Sequence, residues 1–110
     1  ERYRVSRAGT PALANVLANL GQMWLSLERI DDAQGVLDEA LALQRATQPK
    51  SLGMARILVA LGRIHAKRGD IRQAWQLSGQ AVGLVDEIAP DSIFSVIVRR
   101  AQARIAYLYE

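Results

Sequence analysis

The chain has 110 residues, half of them apolar, and a formal net charge of +3. It contains no cysteine, which excludes a disulfide framework and a thiolate metal site, and no apolar run approaches the roughly 18 residues that span a bilayer. With no charged-then-apolar leader at its start, the sequence predicts one cytoplasmic domain without a membrane anchor.

The chain repeats itself at a fixed offset of 41 residues. Among the residues that are identical at this offset are nine that recur from one copy to the next: Leu17, Leu20, Gly21, Ile30, Ala33, Ala40, Leu43, Pro49 and Ser51 recur as Leu58, Leu61, Gly62, Ile71, Ala74, Ala81, Leu84, Pro90 and Ser92. A unit of this length cannot bury its apolar face alone, so successive units stack. The repeat therefore indicates a binding surface and not a reaction centre.

The first unit is predicted to be two antiparallel helices joined by a short turn. Apolar residues recur at spacings of three and four from Pro11 to Leu27, which is one face of a helix, and Thr10 caps it. The predicted packing stripe consists of Leu13, Val16, Leu17, Leu20, Trp24 and Leu27. A second apolar series runs from Ile30 to Thr47.

The second unit follows the same plan. Ser51 is predicted to cap its first helix, and Gly69 to end that helix by allowing a left-handed backbone. Asp70 then caps the next helix, with Gln73 as its reciprocal partner in a capping box. Pro90 stops this helix.

A fifth helix is predicted after Asp91 or Ser92, with no second helix to pair with it. Its apolar residues are therefore expected to be partly exposed: Ile93, Val96, Ile97, Ile105 and Leu108. The repeat divides the chain into the tail of a preceding helix (1–9), repeat one (10–50), repeat two (51–91) and the first helix of repeat three (92–110). This division leads us to expect a piece of a longer protein.

The packing residues resemble those of the tetratricopeptide repeat over nearly the whole chain. The positions that carry the resemblance are Leu17, Leu20, Gly21, Trp24, Ala33, Leu37 and Ala40 in unit one, and Leu58, Leu61, Gly62, His65, Ala74, Ser78 and Ala81 in unit two. The resemblance implies an all-α fold of antiparallel helix hairpins stacked as a right-handed α-solenoid. The usual unit has about 34 residues, and the longer unit here resembles repeats of kinesin light chains and of bacterial regulators of the maltose-activator type.

Small residues have a predicted packing role in this pattern. Gly21 and Gly62 are expected where the two helices of a unit approach most closely. Ser78 stands where the pattern has a bulky residue, and Gly79 and Gly83 follow it. Since each glycine costs up to about 1 kcal/mol relative to alanine, this helix is predicted to be the least stable.

Neither catalytic residues nor a metal site or cofactor is predicted. His65 stands alone at an aromatic packing position, without a second histidine or a cysteine. The adjacent carboxylates Asp31-Asp32, Asp38-Glu39 and Asp86-Glu87 diverge by about 100° on a helix and cannot converge on one substrate atom. An enzyme is therefore disfavoured.

The resemblance places a partner-binding surface on the first helix of each unit, because these helices line the concave groove of tetratricopeptide arrays. The positions carried over are Asn15, Ala18, Asn19, Gln22 and Ser26 in unit one, Arg56, Val59, Arg63 and Lys67 in unit two, and Ile97, Arg100, Arg104 and Tyr107 in unit three. Nine of them are the predicted partner-binding residues: Asn15, Asn19, Gln22, Arg56, Arg63, Lys67, Arg100, Arg104 and Tyr107. Helical spacing groups the cations independently, since Arg63 and Lys67, like Arg100 and Arg104, lie four residues apart. Guanidinium groups arranged in this way suit an acidic peptide or chain terminus of a protein partner.

Other readings stay open at the level of sequence. The stripe can be a solvated basic surface without a ligand. The unpaired last helix can serve self-association, as a homo-oligomer or scaffold. The chain can be the effector-sensing part of a bacterial transcriptional regulator. Nucleic acid is disfavoured as a partner, because aromatic residues are not interleaved with the cations.

Overall fold

The computed structural model describes the backbone of residues 11–109 and the side chains of residues 12–107. Within this range the chain is all-α and contains no strand. Its helices are α1 (Pro11–Ser26), α2 (Ile30–Thr47), α3 (Leu52–Lys67), α4 (Ile71–Ile88) and α5 (Ile93–Tyr109). The chain divides into two compact units, residues 1–49 and residues 50–110. Thr10, predicted as the first cap, lies outside the described residues.

The first unit is a hairpin in which α1 packs against α2. The helices approach most closely at Gly21, where an added Cβ would lie 2.5 Å from Cγ of Leu37. Leu37 is itself fully buried, so no side chain larger than hydrogen fits opposite it. This confirms the close approach predicted at Gly21.

In the second unit α3 and α4 form a hairpin of the same kind. A Cβ added at Gly62 would lie 2.9 Å from Oγ of Ser78 and 3.3 Å from the carbonyl oxygen of Ala74. Ser78 occupies the position that Leu37 holds 41 residues earlier, and its buried hydroxyl has no hydrogen-bond partner. The predicted low stability of α4 stays a prediction.

Helix α5 packs on α4 and also touches α3. Its contact side carries Val98 and Ile105, which are 4% and 5% exposed. The expectation that Ile105 would be partly exposed is therefore wrong, because this side chain packs against the α3–α4 hairpin. Ile93, Val96 and Ile97 are exposed, as predicted. The side chain of Leu108 lies outside the described residues.

The predicted packing stripe of α1 needs correction. Val16 and Leu27 are 59% and 60% exposed, and the helix ends at Ser26, one residue before the predicted end. The buried residues of α1 include Ala14, Leu17, Gly21 and Leu25, and Gly21 approaches Leu37 of α2. Val16 lies about 200° around the helix from Ala14, because successive residues turn by about 100°.

Side chains cap two of the helices as predicted. The Ser51 hydroxyl accepts a hydrogen bond from the backbone N–H of Met54 at 3.1 Å, and the Asp70 carboxylate accepts one from the N–H of Gln73 at 3.3 Å. Gly69 has the left-handed backbone expected of it, with φ of 88°. In the first unit Glu28 holds the same position, and its φ is 63°.

We predict that Leu61→Ala destabilises the protein by about 2 to 5 kcal/mol, because Leu61 is 3% exposed and its truncation leaves a cavity in the core. Urea unfolding followed by circular dichroism measures the change. Ile93→Ala is the matched control, since Ile93 is 69% exposed and should change stability little. A midpoint of unfolding unchanged by Leu61→Ala would remove Leu61 from the core.

We predict that Glu28→Gly stabilises the protein by about 1 kcal/mol, because a left-handed conformation strains any residue with a Cβ atom. Gly69→Ala should destabilise by a similar amount for the same reason. Gly83→Ala is the control and should raise stability, whereas Gly69→Ala lowers it. A Cβ added at Gly83 meets no atom within 4 Å, so alanine should favour the helix there. Loss of stability in Glu28→Gly would show that its side-chain interactions outweigh the strain.

Candidate functional site

A groove of about 980 Å³ lies between α3 and α5 in the second unit. It is open to solvent on one side. The residues that line it are Arg63, Ala66, Lys67, Ile97, Arg100, Ala101, Ala103, Arg104, Ile105 and Tyr107. Five of the nine residues predicted to bind a partner are thus brought together: Arg63, Lys67, Arg100, Arg104 and Tyr107.

Four cations converge on this groove, two from each helix. Arg63 and Lys67 are exposed on α3, and Arg100 and Arg104 are exposed on α5. No carboxylate belongs to the described lining. The described lining of the groove therefore carries positive charge and no negative charge.

The arginines of the groove differ from their neighbour Arg99 on the same helix. Arg99 donates two hydrogen bonds from one guanidinium nitrogen to the carboxylate of Asp86 on α4, the longer at 2.6 Å. Among residues 12–107, Arg63, Arg100 and Arg104 have no ion-pair partner. Their donors face solvent and are available to an anion.

Helical geometry explains why the cations point the same way. Residues four apart lie one above the other on a helix, so each pair forms one short stripe. The buried Val98 and Ile105 fix the rotation of α5 against α4. This rotation leaves Arg100 and Arg104 on the side of the groove.

The apolar part of the lining was largely missed by the sequence analysis. Four small or apolar residues contribute to it: Ala66, Ala101, Ala103 and Ile105. The predicted Tyr107 also lines the groove and is 84% exposed. Short alanine side chains between the arginines leave the groove open. In the sequence, the recurrence of alanine next to the cations of a first helix was the signal that could have predicted this lining. The surface therefore offers both cationic and apolar contacts.

The other predicted site residues do not line this groove. Arg56 is half-buried on α3, seven residues before Arg63. Asn15 and Asn19 are exposed on α1 and Gln22 is half-buried there, in the first unit. The groove is confined to the second unit.

The candidate catalytic groups lie apart from one another. The His65 side chain is 25% exposed, and its Nδ1 is 3.7 Å from a carboxylate oxygen of Asp70. The acidic residues of the neighbouring pairs engage separate cations: Asp32 pairs with Arg29, Asp86 with Arg99 and Glu87 with Lys50. No group of three or more metal-ligating residues occurs in the described part of the chain.

None of the helices in the described range is long and apolar enough to cross a bilayer.

The chemistry of the groove follows from its donors. A guanidinium group presents paired N–H donors that match both oxygens of a carboxylate or phosphate. Two such groups one turn apart on α5, facing a third on α3, suit a ligand with more than one negative charge. Tyr107 and Ile97 add contact area beside them.

Comparison with protein families gives a match to the tetratricopeptide repeat over residues 5–87. Comparison with curated proteins and with solved structures gives no match. Proteins of the matched family generally mediate protein–protein interaction and are typically not catalytic. The matched segment covers both helix hairpins and more than half of the sequence. The chain belongs to the tetratricopeptide repeat family.

Proposed function

We propose that this chain is a non-catalytic protein-interaction module whose α3–α5 groove binds an acidic peptide segment of a partner. The observation that carries the proposal is the convergence of Arg63, Lys67, Arg100 and Arg104 on one groove without a carboxylate in its described lining. The ligand is a segment with two or more carboxylates and at least one apolar side chain. The apolar side chain rests on Ile97 and Tyr107.

The charge balance supports a peptide more than a nucleic acid. Single-stranded nucleic acid binds on rows of aromatic side chains that stack the bases, and Tyr107 is the sole aromatic residue of the described lining. A flexible acidic segment needs no such rows. Its carboxylates accept charge-assisted hydrogen bonds, each contributing about 1.5 to 3 kcal/mol.

The remaining features of the proposal follow the repeat register. The 41-residue spacing supports a relationship to the longer repeats of kinesin light chains or of maltose-activator-type bacterial regulators. Arg56, Asn15, Asn19 and Gln22 are assigned as additional partner contacts. A cytoplasmic location is part of the same proposal.

The groove is tested with a fluorescein-labelled peptide of eight glutamates and one leucine, and fluorescence anisotropy gives the dissociation constant. We predict that Arg63→Glu combined with Arg104→Glu weakens binding by at least about tenfold, since two charge-assisted contacts are lost and like charges are introduced. Moderate salt should weaken the wild-type complex, because the charges are exposed and screened.

The control for this experiment is Arg45→Glu combined with Arg72→Glu, which changes the net charge equally. Both arginines are exposed and neither lines the groove. Equal loss in the two double variants would reduce the binding to non-specific attraction. A peptide in which glutamine replaces glutamate should not bind.

Self-association is the second candidate, and the exposed end of α5 favours it. Ile93 and Val96 are 69% and 51% exposed, and Ile97 beside them is 50% exposed. A contiguous apolar face of this kind usually contacts another surface. A second copy of the chain can supply the same face in a symmetric contact.

We predict that the wild-type chain dimerises at high concentration if this face is used, and that Ile93→Asp with Val96→Asp abolishes the dimer, because a charge cannot be buried there without a partner. Light scattering coupled to size exclusion measures the mass. Arg45→Asp with Arg72→Asp is the control, as these residues lie away from the face. A monomeric wild-type mass at every concentration would eliminate this candidate.

A further inference from the structure

The cations of the α3–α5 groove flank the place where its two helices meet. Ala66 of α3 and Ile105 of α5 belong to one buried cluster, and both line the groove. Lys67 directly follows Ala66, and Arg104 directly precedes Ile105. Arg63 lies one turn before Lys67 and lines the same groove. Cations of both helices are therefore presented beside one contact.

Short side chains separate the cations of α5. Ala101 and Ala103 lie between Arg100 and Arg104 in the sequence, and all four residues line the groove. No acidic side chain belongs to the described lining. An anionic group of a ligand that enters the groove therefore meets guanidinium donors and, within the described lining, no negative charge.

The number of donors indicates which kind of anion suits the groove. A carboxylate has one negative charge and two acceptor oxygens, whereas a phosphate monoester has a charge of about −1.5 to −2 at pH 7 and three acceptor oxygens. Arg63, Arg100 and Arg104 supply three planar donor groups. One phosphate group can therefore accept hydrogen bonds from both helices at the same time.

Two acidic residues of a peptide do not reproduce this arrangement. In an extended peptide successive side chains point to opposite sides, and the next side chain on the same side is about 7 Å away. Two carboxylates would therefore engage different cations. A phosphate group concentrates the same charge at one point, where the cations of α3 and α5 act on it together.

From these observations we propose that the α3–α5 groove recognises a phosphorylated side chain of a partner peptide. The phosphate is held between Arg63 of α3 and the pair Arg100 and Arg104 of α5. Apolar neighbours of the phosphorylated residue contact Ile97 and Tyr107. This inference rests on the proposed function, since it names the chemical class of the acidic segment. Phosphorylation of the partner then switches binding on, because the unmodified hydroxyl group is neutral.

Nucleic acid is another source of phosphate groups and fits the groove less well. Each phosphate of its backbone carries a single negative charge. Its bases need aromatic side chains on which to stack, and Tyr107 is the sole aromatic residue of the described lining. The groove therefore favours a phosphorylated peptide.

The proposal is tested on the 110-residue chain by fluorescence anisotropy with three labelled peptides. The first has one phosphoserine between two leucines, the second has two glutamates in place of the phosphoserine, and the third has serine there. The first two peptides have nearly equal charge, so a difference between them reports the form of the charge. We expect the phosphoserine peptide to bind at least about tenfold tighter than the glutamate peptide, which corresponds to one additional charge-assisted hydrogen bond. The serine peptide should not bind.

Two single variants test whether both helices hold the phosphate. Arg63→Gln removes a donor from α3 and Arg104→Gln removes one from α5, and each should weaken binding of the phosphoserine peptide by at least about fivefold. Arg72→Gln is the matched control, because Arg72 is exposed and does not line the groove. Circular dichroism verifies that each variant is folded. An effect of Arg104→Gln without an effect of Arg63→Gln would overturn the proposal.

The outcomes distinguish failure of this inference from failure of the proposed function. If the peptide of eight glutamates binds, but phosphoserine gives no advantage over two glutamates, the proposed function stands and the phosphate preference is overturned. If none of the peptides binds, both are overturned. Tighter binding of a single-stranded oligonucleotide than of the phosphoserine peptide would assign the groove to nucleic acid. Displacement of the peptide by an equal concentration of inorganic phosphate would show that the peptide contributes nothing, and would also overturn the proposal.

Discussion

The contact on which each hairpin depends is the approach of two helices at one glycine. At Gly21 the facing atoms belong to the buried Leu37, and at Gly62 they belong to Ser78 and to the backbone of Ala74. Since no Cβ separates the helices there, their axes lie close and their rotation is fixed. The rotation then decides which side chains of a first helix face its partner and which point elsewhere. Serine in place of leucine keeps the contact at Gly62 but buries a hydroxyl without a partner.

Fixed rotation also explains the groove. Helix α5 has Ala103 at the register of Gly62, and this alanine is exposed and lines the groove. The helix is held instead by Val98 and Ile105 against the preceding hairpin. Arg104 precedes Ile105 directly and is therefore turned by about 100° from the buried side. This rotation directs Arg104 towards Arg63. The burial of Ile105 therefore determines where the charge of Arg104 is presented.

Periodicity and capping residues were enough to predict the helices and most of their ends, because both signals are local. Burial was harder to predict, since an apolar residue on a first helix can face its own partner helix or a neighbouring unit. Val16 and Leu27 were assigned to the first kind of contact and are exposed, whereas Ile105 was expected to be partly exposed and is buried. Glu28 in a left-handed conformation could have been found from the register, which aligns it with Gly69. The cations of the groove were predictable because their spacing is helical, but its apolar lining depends on how two helices meet.

A cluster of cations on one groove costs stability, and the size of that cost bears on the role of the cluster. Like charges one turn apart on a helix are destabilising by about 0.2 to 0.5 kcal/mol per pair in water, and the groove has one such pair on each helix. This cost is small because the side chains are exposed and hydrated. A ligand that excludes water from the groove would strengthen each contact with an arginine, since the local dielectric constant falls. Arg99 has a different role, because its ion pair with Asp86 joins α5 to α4. This pairing leaves the Arg99 guanidinium less able to bind the carboxylate of a partner. The side of α5 that faces α4 therefore decides which of its arginines is ion-paired and which face the groove.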